Sequence, residues 1–287
     1  MTAGEYFEGK NISIMHMVDD ELLQENFTPH MHDRYELFCL VRGEVDYAVE
    51  GNVYLLEPGS MMLMRSAETH KLLVRGSGAY ERYVIYFTPE FFSEKGFTHE
   101  LLAPFTSRGL GERNLYAPAD FGGVPPLFYL RKMFRERECL PLELAAAASL
   151  SALLSAACHI FMHGRTEATA QNGSGREILA YVNENLTKKI SLEKISASVH
   201  MSCSQVNRIF RRLTGTSVYD YIVSKRLILA QERMAKGENA SAAASACGFR
   251  DYSSFYRLYK KRFGSAPTEA RVLYAAEAEA GGKFCLK

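Results

Sequence analysis

The chain has 287 residues, which is enough for two domains of ordinary size. Hydrophobic residues make up 47% and charged residues 23%, which excludes a disordered, collagen-like or disulfide-stapled chain. The formal net charge of +1 hides an uneven distribution: residues 1–173 carry 15 basic and 23 acidic side chains, and residues 174–274 carry 17 and 8. The basic part is expected to meet a polyanion, and the alternative is chance clustering on two solvated surfaces.

The cysteines and the first residues indicate a reduced, cytoplasmic protein. The six cysteines are widely scattered and form no C-x-x-C pair, so we expect no disulfide framework. The opening residues, MTAGEYFEGKNISIMH, include acidic side chains and no long apolar run, so we expect no signal peptide. Residues 144–162 are uncharged but rich in Ala and Ser, which favours a soluble helix over a membrane span.

Short β-type runs broken by turn residues occupy residues 34–88. Turn signals such as Gly43, Gly51 and Gly59 recur about 8 to 12 residues apart, a spacing typical of an antiparallel sandwich or barrel. The predicted strands are RYELFCLV, EVDYAV, VYLLE, SMMLM, HKLLV and ERYVIYF.

Two helices are predicted after a loop region rich in glycine and proline. LFYLRKMFRERE follows two prolines, and a second helix begins after Pro141 and continues to about Met162. The second helix carries one apolar stripe, and packing on the chain's own barrel is weighed equally with contact in a homodimer. The stripe consists of Leu150, Leu153, Leu154, Ala157, Ile160 and Phe161.

The sequence therefore predicts an α+β protein of two domains. Residues 1–163 form an antiparallel β-barrel with helices, and residues 176–274 form an all-α domain with two helix-turn-helix units. The small, polar stretch GRTEATAQNGSG at residues 164–175 is predicted to be a flexible linker, and residues 275–287 are a tail.

The first helix-turn-helix unit is predicted from two capped helices. Ser191 is expected to cap LEKISASV, and Ser202 is expected to cap CSQVNRIFRRLTG after a short turn. Two short helices joined by a tight turn, with polar and Arg side chains at the start of the second, are what reading a DNA major groove requires. The predicted DNA-contacting residues are Ser204, Gln205, Asn207, Arg208, Arg211 and Arg212.

The same pattern repeats and places Arg208 opposite Arg257, 49 residues later. Asn239 is expected to cap ASAAASAC, and DYSSFYRLYKKRFG supplies a second Arg-rich helix after Gly248. The connecting helix spans about 28 Å, close to the roughly 34 Å of one DNA turn. The repeat favours DNA binding over an ordinary helical bundle with a solvated cationic face. Tyr252, Ser253, Tyr256 and Arg257 are predicted to reach base edges, and Lys260 is predicted to lie near phosphates.

At these residues the sequence resembles the AraC/XylS family of bacterial transcription regulators, over about 100 residues. The resemblance implies that the second helix of each unit is the recognition helix, with Ser204, Asn207 and Arg208 among the base readers of the first. Four residues depart from the family pattern: Cys203 replaces a common proline, Ala240 and Ala243 replace larger aliphatic residues, and Tyr259 replaces a usual phenylalanine. The two alanines are expected to thin the core under the second unit.

The acidic part contains HMHDRYE at residues 30–36, followed by Gly43, with His70 downstream. This pattern resembles the cupin motifs, in which two His, a Glu and a third His converge inside a small β-barrel. Side chains two apart in a strand share a face, and a set of three nitrogens and one oxygen suits iron, manganese, zinc or nickel. A divalent metal is therefore a possible cofactor, and the alternative is hydrogen bonding at a pocket mouth. The possible ligands are His30, His32, Glu36 and His70.

The family resemblance implies that the barrel binds a small-molecule effector and dimerises. Arg34, Tyr47 and Arg82, together with the four possible metal ligands, are candidate effector-binding residues. We interpret the protein as a DNA-binding transcription regulator and not as an enzyme. Its expected partners are promoter DNA, an effector and a second copy of the chain. The family resemblance adds RNA polymerase as a partner and favours activation over repression. Two alternatives stay open: a cupin metalloenzyme with a basic helical appendage, and a DNA-binding protein whose barrel only dimerises.

Overall fold

A computed structural model describes residues 2–136, 138–164 and 173–268. The predicted tail and most of the predicted linker lie outside the described residues. The chain divides into two compact units. The first unit contains residues 2–28 together with everything described from 34 to 164, and the second contains residues 29–33 and everything described from 173 onward.

The described part of the first unit contains nine strands in two antiparallel sheets, consistent with the predicted β-domain. The larger sheet has the strand order β1-β2-β8-β3-β6-β9, and the smaller sheet has the order β5-β4-β7. The strands are Thr2–Glu8 (β1), Ile12–Asp19 (β2), Tyr35–Arg42 (β3), Val45–Val49 (β4), Asn52–Leu55 (β5), Met61–Met64 (β6), His70–Val74 (β7), Tyr80–Phe87 (β8) and Leu115–Tyr116 (β9).

Strand β3 shows why the sequence reads as a continuous apolar run at this point. Its alternate residues Phe38 and Leu40 belong to the core between the two sheets. Leu37 and Cys39 point the other way, into a second core beneath the helices. Because both faces of β3 are covered, the strand lacks the polar alternation of a half-exposed strand.

Four α-helices lie in the described residues of the first unit: Glu90–Ser93 (α1), Ala103–Thr106 (α2), Pro126–Glu136 (α3) and Leu142–His163 (α4). Except for Phe161, the apolar stripe of α4 belongs to the core that covers the larger sheet or packs against it, so the stripe packs on its own unit. Length and composition alone would let α4 cross a membrane, but half of its most apolar stretch is buried inside the unit.

A buried ion pair joins the loop between β6 and β7 to the loop before β9. The Arg108 guanidinium donates to both carboxylate oxygens of Glu68, at 2.5 and 2.8 Å, and both side chains are almost fully buried. The backbone N–H of Gly111 and the amide of Asn114 also donate to Glu68. Burial opposes the charged carboxylate, but Arg108 and the other donors outweigh it and hold the pKa of Glu68 below its ordinary value. The pair was not predicted, because its members lie 40 residues apart.

The second unit contains six helices within residues 173–268: Gly173–Glu184 (α5), Leu192–Ser198 (α6), Cys203–Thr214 (α7), Val218–Ala235 (α8), Ala240–Ala246 (α9) and Tyr252–Phe263 (α10). The expected helices of both helix-turn-helix units are therefore present. One prediction was wrong: Gly173–Gly175 form the first turn of α5 and do not extend the linker. A Cβ atom at Gly175 would lie 2.4 Å from Leu213, so this glycine allows close packing of α5 on α7.

Each helix-turn-helix unit has its own core. We call α5, α6 and α7 the first repeat, and α9 and α10 the second repeat, with α8 connecting them. The core of the first repeat consists of large apolar side chains, including Ile178, Val206 and Phe210. The core of the second repeat combines Phe255 and Tyr259 with small residues from α9. The thinner second core agrees with the alanines of α9.

Candidate nucleic-acid interface and ligand site

The start of α7 is fixed by a capping box. Ser202 Oγ accepts from the backbone N–H of Gln205, at 3.2 Å, and Gln205 Oε1 accepts from the backbone N–H of Ser202, at 3.0 Å. Gln205 was predicted only as a DNA contact, but its side-chain oxygen closes this box. The capping box therefore fixes the residue at which α7 begins, and with it the position of the exposed first turn.

The polar face of α7 is open to solvent while its apolar face is buried. Val206 and Phe210 are fully buried in the first repeat, and Gly215 in a left-handed conformation ends the helix. Asn207 is half-buried at the edge of this face. The predicted DNA-contacting residues Ser204, Gln205, Arg208, Arg211 and Arg212 are exposed.

Helix α10 presents an equivalent face. Asp251 caps the helix by accepting from the backbone N–H groups of Ser253 and Ser254. A hydrogen bond from the Ser254 side chain, together with these backbone hydrogen bonds, lowers the pKa of the Asp251 carboxyl. Phe255 and Tyr259 are buried beneath the helix. The predicted contacts Tyr252, Ser253, Arg257 and Lys260 are exposed, and Tyr256 is half-buried.

The two recognition-helix candidates align position by position without a gap. Both α7 and α10 are 12 residues long and begin 49 positions apart, so Arg208 and Arg257 occupy the same position on the two helices. The basic side chains of each last turn continue the positive surface, but Arg262 is directed to α8, where it donates to Ser224 Oγ at 3.0 Å. The 18 residues of α8 give an axial length of about 27 Å between the repeats.

A polar cluster lies between the two sheets of the first unit. His70 Nε2 is 3.0 Å from Glu36 Oε2, and Tyr47 donates to Glu36 Oε1 at 3.3 Å. His70 Nδ1 donates to the backbone oxygen of Glu68 at 2.9 Å. Burial disfavours the imidazolium, but Glu36 outweighs this cost and raises the pKa of His70. Burial also raises the pKa of Tyr47 well above its ordinary value, and the Glu36 charge adds to the shift.

The other predicted effector-binding residues contact neighbouring strands of the larger sheet or lie in the second unit. Arg34 donates to Ser13 Oγ on β2 at 2.7 Å. Its Nη1 atom lies 3.5 Å from the carboxylate oxygen Oε1 of Glu8 on β1. Arg82 is paired with Asp19 and lies over the Tyr80 ring, at 4.4 Å from its centroid. These two arginines are therefore engaged with the larger sheet.

The predicted metal ligands divide between the two units. Glu36 and His70 belong to the first unit, where they form the ion pair described above. His30 and His32 lie in the segment Pro29–Asp33, which belongs to the second unit, and their ring centroids are 6.1 Å apart. Metal binding by these four residues stays a prediction.

Two family models match the chain. One, described as an AraC-like ligand binding domain, matches residues 18–100, and the other, a helix-turn-helix domain, matches residues 195–272. The first match covers all the strands from β3 to β8. The second covers the end of α6, all of α7 and α8, and the whole second repeat.

The relatives fall into partial and nearly full-length matches. The probable transcriptional regulator LumQ of Photobacterium leiognathi is 33% identical over 89 residues, which is 31% of this chain and 36% of that protein. The HTH-type transcriptional activator RhaS of Escherichia fergusonii is 21% identical over 273 residues, which is 93% of this chain and 95% of that protein.

Solved structures give weaker likenesses. The DNA-binding domain of AdpA, crystallised with a target DNA, is 27% identical, covers 35% of this chain and 92% of that one, and has a TM-score of 0.34. ToxT from Vibrio cholerae O395 is 14% identical, covers 92% of this chain and 98% of that one, and has a TM-score of 0.39. From the two family models and the nearly full-length RhaS match, the chain belongs to the AraC family of DNA-binding transcription regulators, with an N-terminal ligand-binding domain and a C-terminal helix-turn-helix domain.

Proposed function

We propose that this regulator reads a two-part site on duplex DNA, with α7 in one major groove and α10 in the next. The observation that carries the proposal is the equivalence of the two helices: each is capped, buried on its apolar side and exposed at Arg208 or Arg257. An arginine binds guanine through two parallel hydrogen bonds, and asparagine binds adenine similarly. Half-sites about one DNA turn apart suit the length of α8.

Selection of binding sites from random DNA tests this proposal. We expect the wild-type protein to select two short motifs whose centres lie about 10 base pairs apart. Arg208→Ala should erase the preference at one base pair of one motif, and Arg257→Ala should do the same in the other. Arg135→Ala, which removes an exposed arginine from α3, is the matched control and should leave both motifs intact. Unchanged motifs with both recognition-helix variants would contradict the proposal.

We further propose that the effector binds between the two sheets, against Glu36, Tyr47 and His70. Polar groups buried in an apolar core are costly unless they have partners, and ligand sites concentrate such groups among aromatic side chains. The Phe38 ring lies 4.9 Å from the Tyr47 ring, and the His70 ring lies 6.0 Å from it. An aromatic lining with one carboxylate suits a hydroxylated ligand, whose O–H groups donate to the carboxylate.

Thermal denaturation with a panel of metabolites tests the effector site. A ligand at 100 times its dissociation constant should stabilise the wild-type protein by about 2.7 kcal/mol. Tyr47→Phe and His70→Gln should abolish or weaken that shift. Tyr116→Phe removes a hydroxyl from a buried tyrosine in the other core and is the matched control. A shift that all three variants retain would place the ligand elsewhere.

Activation through RNA polymerase and a homodimeric state complete the proposed function. The RhaS relatives are named as transcriptional activators, which supports activation here. Apolar side chains on and near α3 and α4 are unusually exposed, including Phe128 (48%), Leu144 (52%) and Met162 (69%), which supports contact with a second copy. Leu144→Glu should shift the sedimenting species to the monomer. Transcription with purified polymerase from a promoter that carries the selected site should rise when the wild-type protein is added.

A further inference from the structure

One guanidinium in the second unit binds backbone from both repeats. Arg226 lies on the connecting helix α8, where its Nε donates to the carbonyl of Leu186 at 2.7 Å and its Nη2 donates to the carbonyl of Lys188 at 2.6 Å. These two carbonyls belong to the segment between α5 and α6, in the first repeat. Its Nη1 donates to the carbonyl of Gly248 at 2.9 Å, in the turn between α9 and α10. The side chain therefore connects two backbone segments, the one between α5 and α6 and the turn between α9 and α10, to α8.

The two repeats also touch directly at this point. Gly248 has a φ of +89°, and a Cβ atom there would lie 2.5 Å from the carbonyl oxygen of Thr187 and 3.0 Å from the Arg226 Cζ. Only glycine suits both this backbone conformation and this close approach. The turn of the second repeat is therefore seated against the loop of the first, with Arg226 between them.

The chemistry of this contact favours a rigid junction. The guanidinium is half-buried, and burial lowers the pKa of Arg226, although a guanidinium stays charged in proteins. Hydrogen bonds from a charged donor are stronger than neutral ones, and the planar fork fixes the directions of its three acceptors relative to one another. A lysine at this position would carry the same charge without the fork.

We propose that Arg226 is a positioning residue that sets the orientation of α10 relative to α7, and with it the distance between the two DNA half-sites. This inference rests on the proposed two-part DNA site. Arg226 acts through the backbone on which the recognition helices are mounted, because Gly248 lies in the turn that precedes α10. Loss of the fork should leave each recognition helix intact but loosen their relation.

A neighbouring side chain supplies the matched control. Lys225 is buried, donates to Asn183 Oδ1 at 2.9 Å and lies over the Tyr221 ring, so it ties α8 to α5 inside the first repeat. Lys225→Met should cost stability without changing the relation between the repeats. The test variants are Arg226→Gln, and Arg226→Lys as a milder change that keeps the charge.

The first measurement uses full-length protein and a series of duplexes. The two selected motifs are held constant while their separation changes by one or two base pairs in either direction. The wild-type protein and Lys225→Met should each lose at least tenfold in affinity per base pair of misfit. Arg226→Gln should bind the best duplex at least tenfold more weakly and show a flat dependence on separation, with Arg226→Lys in between. If Arg226→Gln keeps the wild-type dependence, the inference is wrong; if the wild-type protein shows no dependence, the two-part site itself is wrong.

The second measurement needs no DNA. Spin labels carried by non-cysteine amino acids at the exposed positions Ser204 and Ser253 report the distance between α7 and α10 in the full chain. We expect a narrow distance distribution in the wild-type protein and in Lys225→Met, and a clearly broader one in both Arg226 variants. An equally narrow distribution in the Arg226 variants would overturn the proposal, even if their DNA affinity fell.

Discussion

The two helix-turn-helix repeats share one design but differ in how they are supported. In the first repeat, α7 packs on α6 and α5, and large side chains such as Phe210 and Ile178 fill the core. In the second repeat, α9 contributes Ala243 and Ala244, and the described residues place the core between α8, α9 and α10. The exposed faces of α7 and α10 are similar, whereas the cores beneath them differ in side-chain size. The residues that face DNA can therefore stay alike in the two repeats while the stability of each repeat differs.

The largest expected loss of stability comes from removing a buried ring from either core. Phe210→Ala and Phe255→Ala each remove a fully buried ring, which should lower the free energy of unfolding by about 3 to 5 kcal/mol. Hydrogen exchange should show the loss locally: faster exchange in α5 to α7 for Phe210→Ala, and in α9 and α10 for Phe255→Ala. If either variant accelerates exchange equally in both repeats, the two cores form one cooperative unit.

The helix caps of the two repeats should respond differently to pH, because one cap is a serine hydroxyl and the other is a carboxylate. Ser202→Ala should cost about 1 kcal/mol at any pH, because a hydroxyl cap does not titrate in the usual range. The Asp251 cap has a lowered pKa, so its contribution is present above the ordinary carboxyl pKa and is lost as the pH falls through the folded-state value. Hydrogen exchange at acid pH should therefore show α10 fraying before α7. Simultaneous fraying of both helices would contradict the difference in caps.

A larger apolar side chain in the thin core of the second repeat should bring its stability closer to that of the first repeat. Ala240 is half-buried at the edge of the second core, so Ala240→Leu adds apolar surface where part of it is covered. We expect a gain of about 0.5 to 1 kcal/mol in the free energy of unfolding, measured by chemical denaturation. Ser241→Leu on the exposed side of α9 is the control and should give no gain. A loss with Ala240→Leu would mean that the second core is already filled.

The smallest effect concerns phosphate contacts. Arg212→Ala and Lys260→Ala each remove one exposed charge from the end of a recognition helix. Each should weaken binding to all sequences alike and reduce the slope of log affinity against log salt concentration by about 1. The selected motif should not change. An altered motif would move that residue from phosphate contact to base reading.

Capped, amphipathic segments could be predicted from the sequence with little error. Helices α6, α7, α9 and α10 begin after Ser191, Ser202, Asn239 and Asp251, and all except the last of these caps were predicted from local signals. The polar face of α7 was also predicted, and one periodicity determines both the buried and the exposed faces of a helix.

The strands β1, β2 and β9 were not predicted. The alternation of Ile12 and Ile14, both fully buried, was a usable signal for β2, but Met, His and Ser interrupt it. Strand β9 is only two residues long and pairs with β6, which no local pattern indicates.

The candidate site was predicted less evenly than the fold. The exposed faces of α7 and α10 follow from local periodicity, whereas the contacts of Arg34 and Arg82 depend on which strands become neighbours. The three carbonyls bound by Arg226 come from segments up to 40 residues away in the chain, and no spacing rule connects them. Long-range pairing is set by packing, which a single sequence does not display.

The burial of α4 has a consequence for how the protein is made. The strands that α4 covers precede it in the chain, so they leave the ribosome first and are available when this very apolar helix emerges. A fragment that ended before Leu142 would leave the outer face of the larger sheet uncovered and should aggregate on expression. A fragment that ends just after His163 keeps the helix and is the shorter form to express for ligand studies.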